Sequence, residues 1–162
     1  MKDYGFIFKD DEKMKKKAKV VSDLTKDVSE YLNENLKLDF KSKEKKYKIA
    51  YHSACSMQHG QKVHNQPMEL LTKTSNEIME IPEGHICCGS AGTYNILQTE
   101  IAKELLSKKV KNIESLKPDF ISTGNIGCIT QIANGTKTPI LHTIEILDWY
   151  TGGPKPKILQ KN

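Results

Sequence analysis

Two adjacent cysteines entering a glycine turn, His85-Ile86-Cys87-Cys88-Gly89-Ser90-Ala91-Gly92, constrain this chain more than any other stretch. In a strand, neighbouring side chains point to opposite faces, so adjacent thiols could not serve one centre. Gly89 can take the positive φ that a Cβ resists, and a bend there swings both sulfurs to the same side. Tyr94 to Val110 then reads as a helix. Its start offers free N–H groups and partial positive charge, which favour thiolate over thiol. Such a turn suits something soft and positively charged. The remaining cysteines, Cys55 and Cys128, lie well before and well after it.

The elements around the turn alternate. Tyr47-Lys48-Ile49-Ala50-Tyr51-His52 reads as a first strand, ending at Ser53-Ala54-Cys55, and a helix begins near Pro67, where a missing N–H is tolerated. Glu77-Ile78-Met79-Glu80-Ile81 is a second strand, followed by the paired cysteines and a helix whose buried side is Ile101, Ala102, Leu105, Val110 and Ile113. Asp119-Phe120-Ile121-Ser122-Thr123 is a third strand, running into Gly124-Asn125-Ile126-Gly127-Cys128 and a short helix to Ala133. Pro139-Ile140-Leu141-His142 is a fourth, before a last helix from Thr143 to Tyr150. This alternation predicts an α/β fold: a small parallel sheet of about four strands with helices on both faces.

Ahead of it, Asp10-Asp11-Glu12 can start a long N-terminal helix reaching about Asn35, with Met14, Ala18, Val21, Leu24, Val28, Tyr31 and Leu32 as one apolar stripe. That stripe must cover either the following domain or a partner surface. The expected organisation is a helical lead-in over 1–46, a cysteine-rich α/β domain over 47–152 and a loose lysine-rich tail over 153–162.

Ligands of parallel sheets sit beyond the carboxyl ends of the strands. Cys55 follows the first strand, Cys87 and Cys88 the second, and Cys128 the third, so all four thiols are expected at one edge of the sheet. Taken singly, a cysteine is a small buried apolar residue; taken as a set, these point to a shared site. Thiolates are the usual ligands of zinc and of iron–sulfur centres, and the residues alone do not choose between the two. His52, His59 and His85 each lie within a few residues of a cysteine and read as neighbours that hydrogen-bond a sulfur or the backbone rather than as ligands. Asn125 suits a turn former, with donation toward a sulfur as its other role. No catalytic acid or base stands out.

Composition narrows the class. The formal charge of +5 invites nucleic acid, but every basic residue is Lys, and bidentate recognition of phosphates and base edges leans on Arg. Lysines interleaved with Asp and Glu from Asp10 to Glu44 look like a solvated helix face, so no nucleic-acid partner is expected. No apolar run approaches the roughly 20 residues of a membrane span, and the first residues carry no apolar export core. The expected compartment is the cytoplasm, where thiols stay reduced and metal binding outranks disulfides.

Several stretches together carry a family likeness. Tyr51-His52-Ser53-Ala54-Cys55, His59-Gly60-Gln61, Gln66-Pro67, Cys87-Cys88-Gly89-Ser90-Ala91-Gly92-Thr93-Tyr94-Asn95, Thr123-Gly124-Asn125-Ile126-Gly127-Cys128, Gln131-Ile132 and His142 with Glu145-Ile146-Leu147-Asp148 resemble the cysteine-rich CCG domain of the heterodisulfide reductases. More closely, they resemble the C-terminal part of the glycolate oxidase iron–sulfur subunit family. The likeness extends to the lead-in, at Asp3-Tyr4-Gly5 and Leu24-Thr25-Lys26-Asp27-Val28.

The resemblance implies an electron-transfer subunit with an iron–sulfur cluster, such as a 4Fe-4S centre, held by Cys55, Cys87, Cys88 and Cys128. Flavin-containing subunits would oxidise glycolate to glyoxylate, and electrons would pass toward a membrane quinone, with peripheral association at the inner membrane face through the complex. Two departures carry consequences. The family's ferredoxin-type cysteine runs and its earlier CCG copy are not in this sequence, which therefore resembles a C-terminal fragment or a split subunit, with the remaining iron–sulfur portion as partner. Asn125 also stands where the heterodisulfide reductases place the first thiol of a Cys-x-x-Cys pair, which argues against a five-cysteine cluster. The alternatives are a zinc-stapled scaffold, a CCG subunit of a lactate- or heterodisulfide-type oxidoreductase, and thiol catalysis by Cys87 and Cys88, the last disfavoured by the strained ring that adjacent cysteines form on oxidation.

Overall fold

A computed structural model describes residues 1–160. Four strands, β1 (Lys48–His52), β2 (Glu77–Glu80), β3 (Phe120–Thr123) and β4 (Ile140–His142), form one sheet in the order β2-β1-β3-β4. All three pairings are parallel, with Ile49 opposite both Ile78 and Phe120, and Thr123 opposite both His52 and His142.

Period-two alternation divides the core. Ile49, Tyr51 and Phe120 face α4 (Gln66–Thr72) and α8 (Thr143–Tyr150), where Leu70, Leu71, Ile146, Leu147, Trp149 and Tyr150 are buried. Ala50 and Ile121 face α6 (Thr99–Ser115) and α7 (Ile126–Ala133), through Ile113, Ile132, Cys88 and Cys128. The expected parallel α/β sheet with helices on both faces is what the chain forms. Both central strands are buried, as an all-parallel sheet covered on two sides requires.

The chain order creates a switch point. The connection after β1 runs through α4 on one face, and the connection after β3 runs through α7 on the other. Neighbouring strands whose exits diverge in this way open a crevice at their carboxyl ends.

Several local expectations are corrected. The single long N-terminal helix is three: α1 (Tyr4–Ile7), α2 (Lys15–Leu24) and α3 (Val28–Asn35). Thr25 turns extended, and Asp27 caps α3 by accepting from Ser29 N–H at 2.9 Å while Glu30 accepts from Asp27 N–H at 2.6 Å. That capping box starts a new helix at a new angle, so the apolar stripe loses its register. Only Ala18 of the stripe is buried; Leu24 is 76% exposed, while Leu32 reaches the α4–α8 core.

The helix after the paired cysteines is broken at Gln98 into α5 (Tyr94–Leu97) and α6, and α6 extends past Val110 to Ser115. Its buried residues are Ala102, Lys109 and Ile113, with Ile101 exposed. The tail is not loose throughout, because Lys157–Leu159 form a 3-10 turn that buries Leu159 in the aromatic core; residues 161 and 162 lie outside the described residues. No helix among the described residues is long and apolar enough to cross a membrane.

Candidate metal centre

The four cysteines follow three strand exits, with Cys87 and Cys88 sharing that of β2. Cys55 follows β1 and precedes a π-helical turn, Ser56–Gln61. Cys87 and Cys88 lie in the turn between β2 and α5, and Cys128 lies in the first turn of α7 after β3. Cys88 and Cys128 are buried; Cys55 and Cys87 are half-buried, and all four are free thiols.

The paired-cysteine turn takes the positive φ at glycine that its sequence suggests. Gly89 has φ +91°, and a Cβ there would stand 2.4 Å from the Ala102 carbonyl oxygen of α6. Glycine is thus required both for the backbone and for close approach to the helix. Gly89 N–H donates to Cys87 Sγ at 3.3 Å. The turn also meets the β3–α7 exit: a Cβ on Gly127 would lie 2.8 Å from Ser90 Oγ, and Asn95 donates to Gln131 at 3.2 Å.

His52 completes a tight cluster. Its ligating nitrogen and the sulfurs of Cys88 and Cys128 all lie within 4.8 Å of one another. The parity of β1 explains the placement, since His52 shares its face with Ala50 and so points toward α6 and α7. The ring is 1% exposed, yet neither nitrogen has a hydrogen-bond partner, and Thr123 Oγ1, opposite it on β3, is unpartnered too. A buried imidazole left unsatisfied at both nitrogens is costly. Two thiols and one imidazole gathered within 4.8 Å, with unspent lone pairs on the imidazole, are a donor set for a soft or borderline metal, so the residues fit a metal group.

The buried thiols bias one another's ionisation in opposite directions. The neighbouring Cys128 thiol lowers the Cys88 pKa against the effect of burial, with His52 adding to it, and Cys88, with burial, raises the Cys128 pKa. Burial first, and then the neighbouring Cys87, push Cys55 up to about 11. The charges of Cys88, Cys55 and Cys87 all act on Cys128, and those of Cys87 and Cys88 act on Cys55.

The other candidates sit further out. His59 is exposed on the π-helical turn. His85 is exposed and lines a separate cleft of about 520 Å3 with Tyr51, His64, Glu69 and Glu80. Asn125 caps α7, accepting from Cys128 N–H at 3.2 Å, and donates to Ser56 Oγ at 3.2 Å. It therefore ties the Cys128 turn to the Cys55 turn. His142 caps α8, with its Nδ1 accepting from Ile144 N–H at 3.2 Å.

Sequence reasoning missed Lys109. It is 1% exposed on the inner face of α6, with its Nζ directed at the carbonyls of Glu83 and Gly84. The available signal was its position, seven residues after Ala102 and four before Ile113, in the middle of an apolar helical face.

Fold and site together define a class: a doubly wound α/β domain whose β2 and β3 exits bring Cys88 and Cys128 against a buried imidazole at the end of β1. The profile of the Cysteine-rich domain (CCG) matches residues 49–133, and the chain belongs to that family. It is 37% identical over 150 residues to the glycolate oxidase iron-sulfur subunit of Escherichia coli (strain K12), covering 91% of this chain and 36% of that protein. It is 25% identical over 154 residues to lactate utilization protein A of Geobacillus sp. (strain WCH70), and 26% over 153 residues to that of Bacillus subtilis (strain 168). Those two alignments each cover 91% of this chain and 65% and 64% of the relatives. The chain thus spans between about a third and two thirds of the curated relatives it matches.

Proposed function

We propose that Cys55, Cys87, Cys88 and Cys128 hold an iron–sulfur centre, and that the chain is the electron-transfer module of an iron–sulfur subunit in a 2-hydroxy-acid oxidoreductase. Glycolate is the favoured substrate of the assembly, in keeping with the 37% identity to a glycolate oxidase subunit against 25% to a lactate utilization protein. Flavin-bearing subunits would carry out the oxidation to glyoxylate, and a quinone at the inner membrane face would receive the electrons. The remaining iron–sulfur portion of the subunit would lie between them.

The observation that carries this reading is the meeting of Cys88 and Cys128, from two separate strand exits, with a buried imidazole that has no partner, while the charges of Cys55 and Cys87 act on the same Cys128 thiol. Bound there, a cluster would supply reversible one-electron chemistry. The chain's own residues supply the cradle: thiolates to bind, Gly89 to bring the turn against α6, Asn125 to pin two of the turns together, and His52 to donate toward a sulfur.

The closeness of His52 to Cys88 and Cys128 favours one second reading, a zinc site with imidazole as a ligand. Anaerobic purification with iron, zinc and acid-labile sulfide analysis separates the two. Brown protein with iron and sulfide in equal amounts, lost in Cys88→Ser, is expected. Colourless protein containing zinc would replace the first reading with the second.

A further inference from the structure

Lys109 is the largest charged side chain in the interior, and its surroundings do not explain it. The residue is 1% exposed on the face of α6 that also buries Ala102 and Ile113. Its Nζ has two carbonyl oxygens within reach, Glu83 at 3.3 Å and Gly84 at 3.4 Å, both in the loop that leads into Cys87 and Cys88. The Glu83 carboxylate is engaged elsewhere: it pairs with Lys108 at 2.8 Å on the outer surface and accepts from Asn112 at 3.2 Å. Among the described residues no acid pairs with Lys109. Lysine is almost never this deeply buried without an anion, because losing water costs an unpaired ammonium several kcal/mol.

The missing counter-charge lies in the adjacent centre. The Ala102 carbonyl of the same helix abuts Gly89, and Ile113 packs with Cys88 and Cys128. Lys109 sits between those two points of contact. Burial lowers its pKa, and the charge of Cys88, Cys55, Cys87 and Cys128 opposes that effect.

We propose that Lys109 is a positioning residue for the cysteine centre: a fixed buried cation, held by the Glu83 and Gly84 carbonyls, that offsets the negative charge of the thiolates and raises the reduction potential of the group they hold. The direction follows from Coulomb's law in a poorly screened interior, since an added electron is stabilised by a nearby positive charge. The proposal rests on the reading of the centre as iron–sulfur, but its test does not end with that reading.

Lys109→Met keeps the stem and removes the charge; Lys109→Gln removes the charge and keeps a donor for the carbonyls; Lys109→Arg keeps the charge. Redox titration of the anaerobic proteins, followed by visible absorption and electron paramagnetic resonance, should show both neutral variants harder to reduce by at least tenfold, about 59 mV for one electron. Lys109→Arg should stay within threefold of the parent. A wild-type potential in Lys109→Gln would mean that the side chain serves only as a hydrogen-bonded brace, and would overturn the proposal. Should the parent carry no iron or sulfide, the iron–sulfur reading fails by itself. The cation is then read from Zn2+ affinity by chelator competition, where both neutral variants should bind at least tenfold more weakly and equal affinity would overturn it. A neutral variant that fails to fold leaves the other neutral variant to decide, and failure of both with a folded Lys109→Arg protein, refolded by added metal, would again support the fixed charge; failure not repaired by metal would overturn it.

Discussion

At the residue scale, Tyr51 shows how one position on a central strand carries a pH signature. Its side chain is 5% exposed in the aromatic half of the core, and burial pushes the phenol up to about 12 from an ordinary 10.0, with Ser53 offsetting part of the effect. The native state therefore keeps this proton over a range where the unfolded chain has lost it. Stability contributed by the neutral phenol is complete below pH 10 and falls as pH rises toward 12, by about 1.4 kcal/mol per pH unit for one such group. Urea melts of the parent and of Tyr51→Phe between pH 9 and 12 should show a steeper decline in the parent. Parallel curves would mean that the ring is solvated. His52, the next residue, points to the opposite face and meets sulfur instead of aromatics.

At the element scale, the contact between the paired-cysteine turn and α6 is the seat of the centre. Placing a Cβ at residue 89 asks an L-residue to hold φ +91° and drives a carbon to 2.4 Å from the Ala102 carbonyl oxygen. The backbone alone costs roughly 1–3 kcal/mol, and the clash adds to it. Gly89→Ala should thus lower the urea midpoint of the metal-free chain and weaken metal retention together. A variant as stable as the parent would show that the turn is free to move away from the helix.

Much of this layer was legible beforehand. β1, β3 and β4 were visible as short apolar runs, and β2 from its position between turn signals; the thiols at three strand exits followed from topology alone. What escaped depends on contacts between distant segments. The helix break at Thr25-Lys26-Asp27 turns on a capping box that competes with an otherwise continuous apolar stripe. The burial of Lys109 depends on a loop that the sequence does not place against α6. The tightness of the His52 cluster depends on the register of β1 with β3.

For the whole molecule, apolar surface is divided unevenly. The two sides of the sheet bury their branched and aromatic residues almost completely, while Leu24, Val28, Tyr31, Ile96, Leu97 and Ile126 remain exposed. Those exposed residues contribute little to the stability of the isolated chain. Leu24→Lys should change the unfolding free energy by less than about 0.5 kcal/mol, whereas Ile113→Ala, in the middle of the cysteine half, should cost about 2–5 kcal/mol. Equal losses from the two substitutions, measured by urea denaturation, would mean that the N-terminal helices form part of the cooperative core.

The diverging exits of β1 and β3 have a consequence beyond the present chemistry. Because the donors arrive on three short loops cross-tied through Asn125 to Ser56 and Asn95 to Gln131, a loop that is lengthened, shortened or given a different terminal group must be matched by its neighbours. A scaffold wired in this way resists piecemeal exchange of its guest during descent, because its rim changes as a set while the paired strands beneath stay the same.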